Sequence, residues 1–201
     1  MTVSSIAVDD ATTPDKYLHT NQRTISAVAR DDQFVLPGEI QYPTYNVIAN
    51  NISIATTDSH VLQIMGDGTN YSRVRRIEIA PFTATSMGIL RLLVYRLSTA
   101  GTGGSAVTIA GHDSSDTYAG AAATLPTAKG TEGALLHAFV IGVNASTPTM
   151  MPQSFVWEEH QQAKPFIFGP ATTNGIAFKV VAGLPAGTVY MNVEIVTTSY
   201  L

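Results

Sequence analysis

The sequence predicts an all-β fold, an antiparallel β-sandwich preceded by an extended N-terminal arm. Three observations predict it. Short runs alternate apolar and polar residues with period two, the pitch of a half-buried strand. Turn chemistry such as Asp67-Gly68 and Asn174-Gly175 separates these runs at short intervals. No segment carries a convincing amphipathic helix; residues 121–125 are the one helix candidate, and Pro126 closes it.

Taken in order, residues 1–45 read as the arm. They hold Pro14, Pro37, Pro43 and the acidic pairs Asp9-Asp10 and Asp31-Asp32, with one short strand expected at 24–29. The domain is expected over 46–201. Asn51-Ile52-Ser53-Ile54-Ala55 alternates, as in part does the run His60 to Met65, which ends at a hairpin signal, Asp67-Gly68. Residues 73–80 follow, with Arg75, Ile77 and Ile79 expected on one face. The run GILRLLVYRL at 88–97 is dense enough in apolar residues to predict burial on both faces. Ser and Gly break the chain at 98–105, and Ala106 to Ala110 form a short strand. Residues 112–133 are low in hydrophobic pattern and read as a loop long enough to imply either a role or disorder. Strand character resumes at 134–143, 154–158, 165–168 and 176–181, with Asn174-Gly175 as a tight turn. In the last strand Val189, Met191, Val193 and Ile195 face inward, and Tyr190, Asn192 and Glu194 outward. Roughly eight to ten strands of this kind make a sandwich or barrel. Eight in two Greek keys make a jelly roll. No repeat of fixed period points to a propeller or β-helix.

Composition narrows the function classes. The chain has 201 residues, 13% of them charged, where soluble domains average about 25%. A neutral surface rich in Thr, Ser, Ala and Gly suits contact with other proteins, because interface cores are depleted in charge. The net charge of −4, with basic residues dispersed, argues against nucleic acid as a partner. No apolar run is long enough for a membrane helix, and the first residues do not read as a signal peptide. With Cys 0, disulfides and thiolate chemistry are excluded.

Candidate chemistry is sparse. The histidines, His19, His60, His112, His137 and His160, have no metal-ligand spacing; His112-Asp113 with Asp116 comes nearest and reads as a polar loop. Glu158 and Glu159 are adjacent on a strand end, so regular pleating points them apart and denies them a common substrate. Gly101-Thr102-Gly103-Gly104 has neither the Lys-Ser/Thr nor the helix of a phosphate loop. No GxSxG elbow frames a nucleophile. Tyr42, Tyr45, Tyr71, Tyr95 and Trp157 are candidates for core or interface, or for stacking on sugars. Arg73-Val74-Arg75-Arg76 is the densest basic cluster; alternation divides it between faces, as in an interfacial or edge charge device. Asn51-Ile52-Ser53, Asn70-Tyr71-Ser72 and Asn144-Ala145-Ser146 match the glycosylation acceptor by chance. No catalytic, cofactor or metal residue is assigned.

Residues 47–201 resemble the jelly-roll domains in structural proteins of tailed-phage particles, particularly head decoration and auxiliary capsid proteins. The resemblance lies in Arg73-Val74-Arg75-Arg76-Ile77-Glu78-Ile79, in Arg91-Leu92-Leu93-Val94-Tyr95-Arg96-Leu97, and in Val156-Trp157, Lys164-Pro165-Phe166-Ile167-Phe168 and Gly175-Ile176-Ala177-Phe178. It implies a non-enzymatic virion protein assembled in the host cytoplasm, without cofactor, nucleic acid or membrane. Its partners would be its own copies, as a trimer, and other virion proteins such as a major capsid protein. The alternative is a carbohydrate-binding β-sandwich module.

Overall fold

The computed structural model describes residues 2–7, 17–25, 28–33, 42–54, 58–84, 88–143, 154–160, 164–181 and 187–198, and side chains from residue 42 onward except at 82–84 and 143. The chain divides into two compact units, Met1–Gln41 and Tyr42–Leu201. In the first, β1 (Thr2–Ala7), β2 (Tyr17–Ile25) and β3 (Val28–Gln33) form a three-stranded antiparallel sheet in chain order. The sequence predicts one strand at 24–29 here. The backbone instead divides that stretch between β2 and β3, with Ile25 opposite Val28.

The second unit contains β4 (Thr44–Ser53), β5 (Ser59–Met65), β6 (Tyr71–Ala84), β7 (Gly88–Leu97), β8 (Ser105–Val107), β9 (Ile109–Gly111), β10 (Ala122–Thr124), β11 (Glu132–Val143), β12 (Phe155–Glu158), β13 (Phe166–Phe168), β14 (Gly175–Val180) and β15 (Gly187–Thr198). They form an antiparallel β-sandwich. Sheet I has the order β12-β6-β15-β4-β9, with β13 also on β6; sheet II has the order β11-β7-β14-β5-β10-β8. The pairings nest. β4 pairs with β15, β5 with β14, β6 with β12 and β13, and β7 with β11, alternating between sheets. The first half of the unit thus meets the second in reverse order, as in a long hairpin rolled over on itself.

One core joins the two sheets. Val47, Ile77, Ile79, Val189, Met191, Val193 and Ile195 of sheet I meet Leu62, Ile64, Leu90, Leu92, Val94, Ile141, Ile176 and Phe178 of sheet II. Each such side chain contributes about 1.5–3 kcal/mol on burial. The expected inward set on the last strand, Val189, Met191, Val193 and Ile195, is fully buried.

Several local expectations change. The β7 run is buried mainly on one face: Leu90, Leu92 and Val94 lie in the core while Ile89 and Arg91 are exposed, and on the outer face only Leu97 is buried, in a small second cluster with Met65 and Ala177. Density of apolar residues overstated the burial here, because the outer face of an antiparallel sheet is in water wherever nothing lies over it, and on sheet II cover reaches Met65, Leu97 and Ala177 but not Ile89 or Arg91. Asp67-Gly68 makes a turn but no hairpin, since it carries the chain from β5 in sheet II to β6 in sheet I. Gly68 takes φ 90°, and the Asp67 carboxylate accepts the N–H groups of Thr69 and Asn70 at 2.8 and 2.6 Å. Gly175 is not in a turn. It lies buried in β14, where a Cβ would collide with the Ile64 carbonyl. The helix candidate at 121–125 is β10, clamped between β5 and β8; two ladders outweigh the helix propensity of Ala. The turn expected at 183–187 lies outside the described residues up to Gly187, which begins β15.

Candidate functional site

The densest polar site grows out of an irregularity in β6. Against β15, Arg76 faces Glu194 and Val74 faces Ile195, which leaves Arg75 as an extra residue. Such a bulge lets Val74 and Ile77 both point into the core. Arg75 is therefore exposed rather than on the inward face of Ile77 and Ile79, correcting the expected alternation. Nor is β6 an edge strand, since β12, β13 and β15 flank it. The consequence is that Arg73, Arg75 and Arg76 gather on one side, around an open pocket of about 500 Å³. Glu158 and Glu159 from the end of β12, Glu194 from β15, Val196 and Tyr42 complete its wall. Regular pleating would have parted Glu158 from Glu159. The strand stops at Glu158, the Glu159 N–H donates to the Arg75 carbonyl at 2.8 Å, and both carboxylates face the arginines.

The charges there are only partly paired. Arg73 Nη2 donates to Glu159 Oε1 at 2.9 Å. Arg76 stands 3.5 Å from Glu158 and 3.6 Å from Glu78. Its Nε–H is shielded from solvent yet makes no hydrogen bond among the described residues. Arg75 and Glu194 enter no ion pair among them. Tyr42, 44% exposed, offers a ring at the rim.

A second charged group sits at the far side of the molecule, on sheet II. Lys179 of β14 binds Asp58 Oδ1 at 2.6 Å and Glu132 Oε2 at 3.0 Å. Lys129 binds Asp58 Oδ2 at 2.7 Å, and fully buried His60 meets Glu132 Oε1 through Nε2 at 3.1 Å. Hydrogen bonds from Lys129 and then Lys179 draw the Asp58 carboxyl down to about 2. Burial pushes the His60 imidazole below its ordinary value, against the pull of Glu132. Burial also opposes ionisation of Glu132, but hydrogen bonds from Lys179 and His60 outweigh it and lower its pKa. A neutral His60 with its proton on Nε2, donating to Glu132, accounts for both directions. The group is a structural clasp. Its cations are saturated by its own carboxylates, so little is left for a ligand.

The long segment at 112–133 serves the fold. Tyr118 enters the core, its ring edge-on to Tyr45 at 5.2 Å. Its hydroxyl donates to the Met65 carbonyl at 2.9 Å, so Ser72 Oγ must donate to it, also at 2.9 Å. Burial raises the Tyr118 pKa. Gly101 is held by the Gln63 amide through two hydrogen bonds of 3.0 and 2.9 Å, which gives the glycine-rich stretch a structural partner instead of a phosphate. His112 Nε2 lies 2.9 Å from Asn46 Nδ2, and Asp113 accepts from the Ser115 N–H and hydroxyl. Trp157 stacks on Phe166 at 4.4 Å beside His137, packed against the core. His19 has no described side chain.

A larger groove, about 700 Å³, opens beside β13, between Phe168, Leu97, Gly133 and Lys164. Arg96 reaches it but donates to the Ile167 carbonyl. No protein-family model, curated protein or solved structure matches the chain.

Proposed function

We propose that the chain is a non-enzymatic structural protein of a virus particle, a jelly-roll capsid decoration or auxiliary component that assembles with its own copies and with shell proteins. The nested strand pairing and the alternation of pairs between sheets support the jelly-roll reading. One observation carries the assembly reading: the outer face of sheet II is apolar where it meets its own edge. Ile89 is 52%, Leu135 52% and Val140 64% exposed, and they lie on neighbouring strands β7 and β11. β11 is an edge strand among the described residues. Its last six residues, AFVIGV, contain no charge and no proline, the usual guards of an edge.

Size decides how the face is used. Three exposed side chains fall well short of the roughly 800 Å² per partner of a stable interface. The β11 edge must therefore join the contact, supplying backbone hydrogen bonds along with the apolar patch. Closed cyclic symmetry is the common outcome for identical chains. Light scattering coupled to size exclusion tests this. The intact chain is expected to run as a homo-oligomer, a trimer in the favoured case, and Val140→Glu to run at 21.3 kDa. A monomeric parent at its highest soluble concentration removes the proposal.

A further inference from the structure

We propose that the pocket beneath the Arg75 bulge binds an uncharged, hydroxyl-rich glycan. The pocket sets guanidinium groups of Arg73, Arg75 and Arg76 against carboxylates of Glu158, Glu159 and Glu194. Formal charge balances. An anionic ligand would meet three carboxylates and a cationic one three guanidinium groups, so neither sign is favoured. What the wall offers instead is a dense set of planar groups, donors and acceptors interleaved. Sugar hydroxyls fit that set because each donates and accepts at once.

Unsatisfied capacity points the same way. Arg75 has no carboxylate partner and Glu194 no cation among the described residues, and the Arg76 Nε–H, shielded from water, faces Glu158 Oε1 at 3.5 Å without making a hydrogen bond among them. Buried donors normally make hydrogen bonds; a ligand hydroxyl between Arg76 and Glu158 would complete this one, accepting from Nε and donating to the carboxylate. Arg75 and Glu194 would take further hydroxyls, and the exposed Tyr42 ring at the rim gives the apolar face of a sugar ring a surface to cover. The volume, about 500 Å³, falls in the ordinary range for small-molecule sites. A zwitterion such as a dipeptide would engage one cation and one anion and leave the rest of the wall idle.

The site lies on sheet I, away from the apolar edge of sheet II, so it stands or falls apart from the assembly reading. Saturation-transfer NMR on the intact chain tests it, with lactose, maltose, cellobiose and N,N′-diacetylchitobiose as neutral probes, and sialyllactose and glycylglycine as charged ones, each at about 10 mM to reach the weak affinities of small ligands. Transfer to at least one neutral disaccharide is expected, insensitive to salt because the ligand carries no charge. Arg75→Ala and Glu194→Gln should each weaken it at least tenfold while leaving the fold intact, and Val140→Glu should leave it unchanged. Arg75 sits outside the core, so its truncation removes no packing. Silence across the neutral probes, transfer to the charged probes alone, or neutral binding that survives both pocket variants overturns the proposal.

Discussion

The two outer faces of the sandwich are built by the same pleat and differ in how charge is placed on them. On sheet I the outward positions of β6, β15 and β4 carry Arg76, Glu78, Asn192, Glu194 and Asn46, with exposed Ile48 of β4 and Val156 of β12 as apolar residues among them. On sheet II the outward positions of β7 and β11 carry Ile89, Leu93, Tyr95, Ala138 and Val140, with Arg91 as the charge among them. A low overall charge, 13%, therefore does not describe an evenly neutral surface. Charge is gathered densely on one face, and on the other it lies in a clasp at the β5–β14 side and at Arg91. Pairing shows the same division. The clasp on sheet II pairs every charge within itself, leaving only His60 Nδ1 without a hydrogen bond among the described residues, whereas the pocket on sheet I leaves Arg75 and Glu194 without ion-pair partners among them.

The largest expected effect tests whether the clasp is part of the fold. Lys179 is 13% exposed and holds both Asp58 and Glu132. Lys179→Met strands Glu132, 22% exposed, beside a neutral histidine. Removing one partner of a largely buried pair is costly because the other charge stays behind. A loss of about 2–3 kcal/mol in urea unfolding is expected, below the 3–5 kcal/mol of a fully buried pair, since Lys129 stands 3.6 Å away as partial compensation. A loss under about 0.5 kcal/mol would mean that the sheet II charges behave as ordinary surface charges.

The contrast between faces was only half legible in the sequence. Period-two text placed most strands of the second unit and the inward set of β15, because each residue's face follows from its neighbour's. What escaped were features set by strand pairing. The Arg75 bulge is invisible until β6 is laid against β15, and without it the arginines divide between faces. Glu158 and Glu159 share a pocket because β12 ends between them, and a strand's end depends on its partner. Asp58 and Lys179 lie far apart in sequence, as do His60 and Glu132, separated by 72 residues. No spacing rule links them. The resting places of Tyr118 and β10 in a Gly/Ala/Thr-rich segment are likewise tertiary. The one signal available was an aromatic residue alone in polar text.

Acid should act first on sheet II. His60 is lowered from 6.5 by burial, so the unfolded chain takes its proton at higher pH than the folded one. Stability from this group is full above about pH 6.5 and is lost as the pH falls below it. Asp58 is drawn from 3.8 to about 2, so its contribution is present above about pH 4 and disappears as the pH approaches 2. Glu132, also lowered, adds to the second stage. Urea midpoints measured from pH 8 to pH 2 should therefore fall in two stages, the second the weaker for being carried by Asp58, which is exposed and screened by water. His60→Gln should flatten the first stage and keep the second. A first stage that persists in that variant would place the sensitive group elsewhere.

The smallest effect belongs to the polar face and is informative for being small. Arg73 and Glu159 are 35% and 14% exposed, with an Nη2–Oε1 distance of 2.9 Å. If the arginines and glutamates around the bulge serve a ligand instead of the fold, their mutual attraction should contribute little to stability. Water reaches the arginine, which screens the charge, and holding a long side chain in one rotamer costs entropy. A double-mutant cycle of Arg73→Gln and Glu159→Gln should give a coupling of about 0.2–1 kcal/mol, declining toward zero in 1 M salt, where the screening length is about 3 Å. A coupling above about 2 kcal/mol that survives salt would mean that this pair is desolvated and structural, like Lys179 with Glu132. The two faces would then differ in composition but not in what their charges do, and the pocket would lose its claim to be a site held open for something else.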